Sequence, residues 1–568
     1  MVRRVLLFLA PLALGACATI PAPAEVPAVQ TRGVVSAADP RAAEAGAAML
    51  RQGGSATDAA IATMLALNVV EPQSSGIGGG GFLLRGTPHG EVETLDGRET
   101  APAGADPEWF LDAEGRPLPF MTAVISGRSV GVPGNVRLAA EAHRRWGKLP
   151  WAALFEPAIN LARDGWVLTE RGREFLVNAK NRAAHQSEAL AIFYDAAGNP
   201  LPAGTVLRNP ALAATLDQIA RNGPDWFYTG ANAQTIATEV AAETPRAGAM
   251  TVADIAGYQA RERPELCGAY RGYRICGMGP PSSGATTVFA ILKQLERFDL
   301  HSLGKDSPTF WHLFAESQRL AYADRERWLA DGDFVSVPAT ALMDPTYLAG
   351  RSALIDPAKT LASVSAGTPQ GFALAPPDGD EPEEHGTSHF VAIDHDGNAV
   401  SYTSTIEGSF GSGIMVGGYY LNNELTDFSF SPEANGQAVA NRIEPGKRPR
   451  SSMAPTLVYD ANGKLVLAVG AAGGSTIPVQ VARALIGVID FGLPLDQAIA
   501  LPMLLAPNDT ISVEQGTALE AMIPQLQALG HRQVGARGMP LKTNGALHTA
   551  AGWIGAADPR SEGIAVSE

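Results

Sequence analysis

Apolar residues recur along this chain in two rhythms, and the rhythm changes near residue 387. Between Ala56 and Val70 small and aliphatic side chains cover every face, which predicts a thin, closely packed helix. Ser55-Ala-Thr-Asp58 reads as its N-cap with an acidic residue three positions on, and Pro72 closes it. Helical spacing also predicts helices over 135–146, 151–164, 210–222, 232–243 and 310–329. Strand-like spacing falls at 82–85, then in close succession at 387–394 and 399–407, with a short apolar strand at 465–470 ahead of Gly473-Gly474. A Pro-, Gly- and acid-rich stretch from Ala375 to His385 separates the two regimes and reads as an exposed linker. The chain is therefore helix-rich at first and strand-opened afterwards, joined by a loop suited to cutting.

Two local patterns need separate readings. Ser74-Ser-Gly-Ile-Gly-Gly-Gly-Gly81 has the glycines of a phosphate cradle, but it lacks the Lys and Ser/Thr of a P-loop and follows a helix rather than a strand. A tight backbone passage between helix and strand is the better reading. At the N-terminus Arg3 and Arg4 precede an apolar stretch over 5–14 that is too short to span a bilayer. It ends in Leu14-Gly15-Ala16-Cys17, which resembles the bacterial lipobox. We expect a lipoprotein signal peptide over 1–17, acylation of Cys17, a Pro/Ala-rich tether over 18–30, and a periplasmic, lipid-anchored place in a bacterial cell envelope. The rival reading is an ordinary secretory signal with Cys17 incidental.

Charge then narrows the partners. With 43 Lys and Arg against 58 Asp and Glu, the net charge is −15, and basic residues form no run. Nucleic acid is excluded as the main partner, because clustered cations carry such binding.

Candidate chemistry comes from two hairpins. If Arg271-Gly272 is a two-residue turn, Cys267 and Cys276 face each other in a non-hydrogen-bonded pair, close enough for a disulfide in an oxidising compartment. The alternative is two small thiols on one strand face. In the second hairpin His395-Asp-Gly397 fits a three-residue loop with glycine in the left-handed position. That loop puts Thr405 opposite Thr387. A cut between Gly386 and Thr387 frees an α-amine with a reference pKa near 8, a usable base for the threonine's own hydroxyl. Thr pairs across strands are common in sheets, so this pair alone decides nothing.

The wider sequence is more specific. Gly386-Thr-Ser-His389, Thr403-Ser-Thr-Ile-Glu407, Leu421-Asn-Asn-Glu-Leu-Thr-Asp-Phe428, Lys447-Arg-Pro-Arg-Ser-Ser-Met-Ala-Pro-Thr456 and Gly470-Ala-Ala-Gly-Gly-Ser475 resemble the γ-glutamyltranspeptidase family in the same order. Glu71-Pro-Gln-Ser-Ser-Gly-Ile-Gly-Gly-Gly-Gly-Phe82, Leu95-Asp-Gly-Arg-Glu-Thr-Ala-Pro102, Pro280-Pro-Ser-Ser-Gly284 and Asp558-Pro-Arg560 extend the likeness over roughly 30–568.

The resemblance implies an α+β fold, the four-layer αββα sandwich of the N-terminal-nucleophile hydrolases. It implies a precursor that cuts itself at Gly386–Thr387 into a helix-rich large subunit, 31–386, and a strand-opened small catalytic subunit, 387–568, which stay together as a heterodimer. Carried over by position, Thr387 is the nucleophile, Thr405 its hydrogen-bonding partner, and Gly473 and Gly474 the oxyanion hole. Arg98, Ser451 and Ser452 match a clamp for the substrate α-carboxylate, and Glu407, Glu424 and Asp427 match acceptors for its α-ammonium.

The implied activity is γ-glutamyl hydrolysis or transfer on glutathione-like small molecules, with water, amino acids or dipeptides as acceptors and neither cofactor nor metal. Some family members carry Asn at the position of Glu407 and Gln at that of Glu424. The segment 429–447 is shorter than a Tyr-bearing lid and holds neither Tyr nor Trp, and Pro502-Met-Leu-Leu lacks a Pro-Arg pairing. These departures leave the acceptor side open. Two other readings remain: a glutaryl- or cephalosporin-type acylase of the same fold, and an envelope binding protein with a dead site.

Overall fold

The structure is a computed structural model that describes residues 33–373, 377, 379 and 386–568. The expected signal, Cys17, the tether and most of the linker over 375–385 lie outside the described residues.

Thirteen strands make two antiparallel sheets. In chain order they are β1 (Val34–Ala37), β2 (Gly80–Gly86), β3 (Val92–Asp96), β4 (Arg261–Glu262), β5 (Leu266–Tyr270), β6 (Tyr273–Gly277) and β7 (Ser388–Ile393). They continue as β8 (Ala399–Thr405), β9 (Thr456–Tyr459), β10 (Leu465–Ala472), β11 (Lys542–Thr549), β12 (Gly552–Ala557) and β13 (Ile564–Ser567). One sheet has seven strands in the order β13-β1-β7-β8-β2-β3-β4, and the other has six in the order β12-β11-β10-β9-β6-β5.

Side-chain alternation along β7 explains the layering. Phe390 and Ala392 join the core shared with the Pro40–Arg51 and Ala56–Val70 helices, while Val391 and Ile393 join the core shared with the second sheet. Helices Gly284–Leu295 and Ile477–Ile489 bury their apolar faces in that second core. The result is helix, sheet, sheet, helix.

Local sequence explains the elements that matter for the site. Ser55 and Asp58 form a capping box, and all fifteen residues of Ala56–Val70 are buried. Its small side chains let it lie close under β7 and β8. The span read as one helix over 151–164 is a 3₁₀ turn, Trp151–Phe155, followed by an α-helix, Glu156–Asp164. Pro157 cannot donate inside a continuous helix, so the first turn is tightened.

Both hairpins have the expected register. Cys267 pairs with Cys276 and the two are joined by a disulfide with Cα atoms 4.1 Å apart. Ser388 pairs with Ser404 across β7 and β8.

Candidate active site

Thr387 does not open the strand as the sequence reading has it. β7 begins at Ser388, and Thr387 lies one residue before it with φ +85°. That region is unfavourable for a β-branched residue and costs of order 1–3 kcal/mol. The hydroxyl still reaches its partner, because Thr387 Oγ1 donates to Thr405 Oγ1 at 3.0 Å. Thr405 Oγ1 also accepts from Glu407 N at 2.7 Å. Gly386 lies so close to the Glu407 carbonyl that a Cβ there meets it head-on, so only glycine fits before the threonine.

The Gly-rich passage after the Ala56–Val70 helix runs beside this pair. Ser74 O accepts from Thr387 N at 2.9 Å and from Ile406 N at 3.3 Å. A Cβ on Gly79 collides with the Thr405 carbonyl. This is the tight backbone passage expected, and it holds the candidate nucleophile directly.

A cavity of 610 Å³ opens over Thr387. Thr405, Arg98, Glu407, Asp427, Ser451, Ser452 and Gly474 line it together with Thr387. Glu424 does not reach the cavity; it is enclosed behind Arg98 and ion-paired with Arg98 Nη1. Asp427 takes Arg98 Nη2. The three carboxylates and the guanidinium are therefore one charge-paired cluster rather than two separate clamps, with Glu407, Glu424 and Asp427 oxygens within 4.8 Å of one another.

The motifs explain how Arg98 is held. It donates from Nε to Pro449 O at 3.2 Å and from Nη2 to Arg450 O at 3.0 Å, so the Lys447–Ser452 segment wraps around it. Burial pushes the neighbouring Glu99 carboxyl up to about 8 against the pull of Arg98, so at neutral pH it is largely protonated beside that cluster. Ser451 N donates to Pro281 O at 3.0 Å, and Ser283 Oγ donates to Ser451 O at 2.7 Å, which braces the serine pair against the Pro280–Gly284 segment.

Gly473 and Gly474 make the turn between β10 and the Ile477–Ile489 helix at φ +124° and +57°. A Cβ on Gly473 lies 2.7 Å from Thr476 Oγ1 and 2.9 Å from Pro540 O. Among the described residues neither glycine N–H donates a hydrogen bond within the protein. Gln480 buttresses the turn, donating to Ala472 O at 2.7 Å and to Thr476 Oγ1 at 2.8 Å.

Several residues of the site escaped the sequence reading. Arg325 donates to Ser452 Oγ at 2.8 Å and to Ser283 Oγ at 2.9 Å. Tyr322 OH donates to Ser475 O beside the glycine turn. Arg319, Glu326, Arg450 and Asp509 also line the cavity. The Pro308–Trp328 helix was legible, but nothing in its spacing marks which face meets the site. Phe430, the aromatic residue of the segment 429–447, stacks on Phe110 at 4.4 Å in a separate core and is not a lid over the cavity.

Among the described residues, two groups have the residue types of a metal site. His312, Glu316 and His531 are buried together, but His312 Nδ1 lies 2.7 Å from His531 Nε2 in a hydrogen bond. Glu316 accepts from Arg319, Thr360 and Leu361. These donors are engaged in tying the fold. The other group is the carboxylate set already paired with Arg98.

Two antiparallel sheets between helical layers, with a threonine ahead of a central strand and a cavity above it, define the N-terminal-nucleophile hydrolase fold. A cephalosporin acylase from Bacillus halodurans has this architecture with a TM-score of 0.83 at 26% identity, over 97% of this chain and 98% of that one. The family model for γ-glutamyltranspeptidase matches residues 42–567, and the chain belongs to that family. The glutathione hydrolase proenzyme of Bacillus subtilis (strain 168) is 37% identical over 510 residues, 88% of this chain and 85% of the relative. That of Escherichia coli (strain K12) is 36% identical over 549 residues, 93% of this chain and 90% of the relative.

Proposed function

We propose that this protein is a self-cleaving γ-glutamyl hydrolase and transferase that acts on glutathione and other γ-glutamyl amides. The observation that carries the reading is the contact of Thr387 and Thr405 at the floor of a cavity that also presents Arg98, Asp427 and the serine pair.

The strained Thr387 backbone, after a position only glycine can fill, lies at the bond to be cut, and cleavage releases that strain. Scission gives a large chain ending at Gly386 and a small chain, 387–568, with a free amine on Thr387. The amine takes the proton from Thr387 Oγ1 as the oxygen attacks the γ-carbonyl. Gly473 and Gly474 N–H groups receive the developing oxyanion. The leaving amine collects the proton, and an ester remains on Thr387. Water or an acceptor amine then attacks the ester and regenerates the hydroxyl. Arg98 with Ser451 and Ser452 receives the substrate α-carboxylate, while Asp427 and Glu407 receive the α-ammonium.

The likeness to a cephalosporin acylase favours a second reading, in which the acyl group is glutaryl. A glutaryl group has no amine for the carboxylates lining this cavity. The wild type is therefore expected to hydrolyse a γ-glutamyl anilide much faster than a glutaryl anilide. Equal kcat/KM for the two compounds selects the acylase reading instead. We further assign 1–17 to a lipoprotein signal, 18–30 to a tether, and the mature enzyme to the periplasmic side of the envelope.

A further inference from the structure

Ser388, the residue after the candidate nucleophile, sits in a buried polar knot assembled from distant parts of the chain. Its Oγ donates to Glu71 Oε2 at 2.8 Å. Lys542 Nζ donates to the same carboxylate oxygen at 2.9 Å, to Ser388 Oγ at 3.2 Å and to Ser74 Oγ at 3.3 Å. Lys542 opens β11, while Glu71 and Ser74 bound the turn after the Ala56–Val70 helix. Ser74 is also the residue whose carbonyl accepts from Thr387 N. A buried ion pair gains little stability over apolar side chains of similar size, since desolvation offsets the attraction. Its place directly behind the nucleophile gives this one a different use.

We propose that Lys542 and Glu71 are positioning residues for Thr387. Through Ser388 and Ser74 they fix its backbone nitrogen, and as a mutually neutralising pair they keep the potential at that nitrogen suited to a base once it is a free amine. The proposal rests on the reading above, that cutting frees this amine.

Arg41, Asp39, Glu562 and Arg171 act electrostatically on Glu71 or Lys542. Arg98, Glu407, Asp427, Arg319, Asp509, Arg325, Glu326 and Arg450 share the cavity with Thr387. His389, two residues on, is held neutral by burial, which pushes its ring down to about 3. Burial also pushes the Lys542 ammonium down, while Glu71 holds it up.

The pH profile of kcat/KM with a γ-glutamyl anilide tests the pair. Lys542→Met leaves the Glu71 charge alone, favours the ammonium form of Thr387 and moves the acidic limb to higher pH. Glu71→Gln leaves the cation alone and moves the limb to lower pH. Each shift is on the order of one pH unit, since an uncompensated buried charge is poorly screened. Lys542→Arg keeps the charge and the limb, and the double variant Lys542→Met/Glu71→Gln returns the limb to its wild-type position.

A merely structural pair lowers the rate without moving the limb, and unmoved limbs in both single variants overturn the proposal. If the single variants remain uncut, normal cutting of Lys542→Arg and the double variant supports the pairing. Loss of cutting in all four overturns it. A wild type that is itself uncut, or that has no acidic limb, refutes instead the reading of Thr387 as an N-terminal base.

Discussion

In the proposed reading, Arg98 is the residue on which substrate class turns. It is buried, ion-pairs with Glu424 and Asp427, and lines the cavity that Thr387 also lines. Arg98→Ala leaves a bound α-carboxylate without its main partner. Truncating one side of such a pair costs about 2–5 kcal/mol. At about 1.4 kcal/mol per decade, kcat/KM for γ-glutamyl substrates should fall roughly 30- to 4000-fold. Arg98→Lys should recover only part of the loss, because a point charge cannot reproduce the planar fork. Both variants should still cut themselves, since among the described residues no hydrogen bond joins the Arg98 side chain to Gly386 or Thr387. An unchanged kcat/KM in Arg98→Ala contradicts the assignment.

At the scale of elements, the β7–β8 hairpin carries the partner of the candidate nucleophile and a pH liability. His389 on β7 lies against Gly470 with its ring wholly buried, and its pKa is pushed down to about 3. An unfolded ring takes a proton near pH 6.5 while the native ring refuses it. The folded state therefore loses stability as pH falls below about 6.5, by about 1.4 kcal/mol per pH unit for this ring, until the native ring protonates. His531, pushed down by burial and by His312 beside it, adds to the same slope. Denaturant unfolding at pH 7 and pH 5 should show the loss, and His389→Gln should flatten it. An identical slope in the variant contradicts this account.

The hairpin was legible because turn chemistry sets register, and register sets which residues meet. The same logic placed Cys267 against Cys276. β1 was not legible: four residues, Val34–Ala37, buried on both faces carry no alternation. Lys542 was not legible either, because its partners Glu71, Ser74 and Ser388 lie 154 or more positions away. Only the sheet order brings them together. Of the residues the family motifs single out, Thr387, Thr405, Arg98, Glu407, Asp427, Ser451, Ser452 and Gly474 line one cavity and Glu424 does not reach it; the ion pairing of Arg98 with Glu424 and Asp427 needed side-chain geometry.

For the whole molecule, the position of the proposed cut matters more than its chemistry. β1–β6 precede Thr387 and β7–β13 follow it, yet each sheet takes strands from both sides. The pairings β1–β7, β2–β8 and β6–β9 cross the cut, so the two chains should stay together until denatured. Membrane attachment belongs to this scale too, and Leu14-Gly-Ala-Cys17 motivates it. Two or three acyl chains anchor stably where one is marginal, so Cys17→Ser should move the protein out of the membrane fraction with its activity intact. A wild type that is wholly soluble after lysis rules the anchor out.

The most direct test of the central claim is the mass of the chains after an acid quench with a γ-glutamyl substrate. The account predicts two chains, the second beginning at Thr387, with the γ-glutamyl adduct mapped to Thr387 and with Thr387→Ala remaining one unmodified chain. A single uncut wild-type chain that turns over substrate, or an adduct on any other residue, contradicts it.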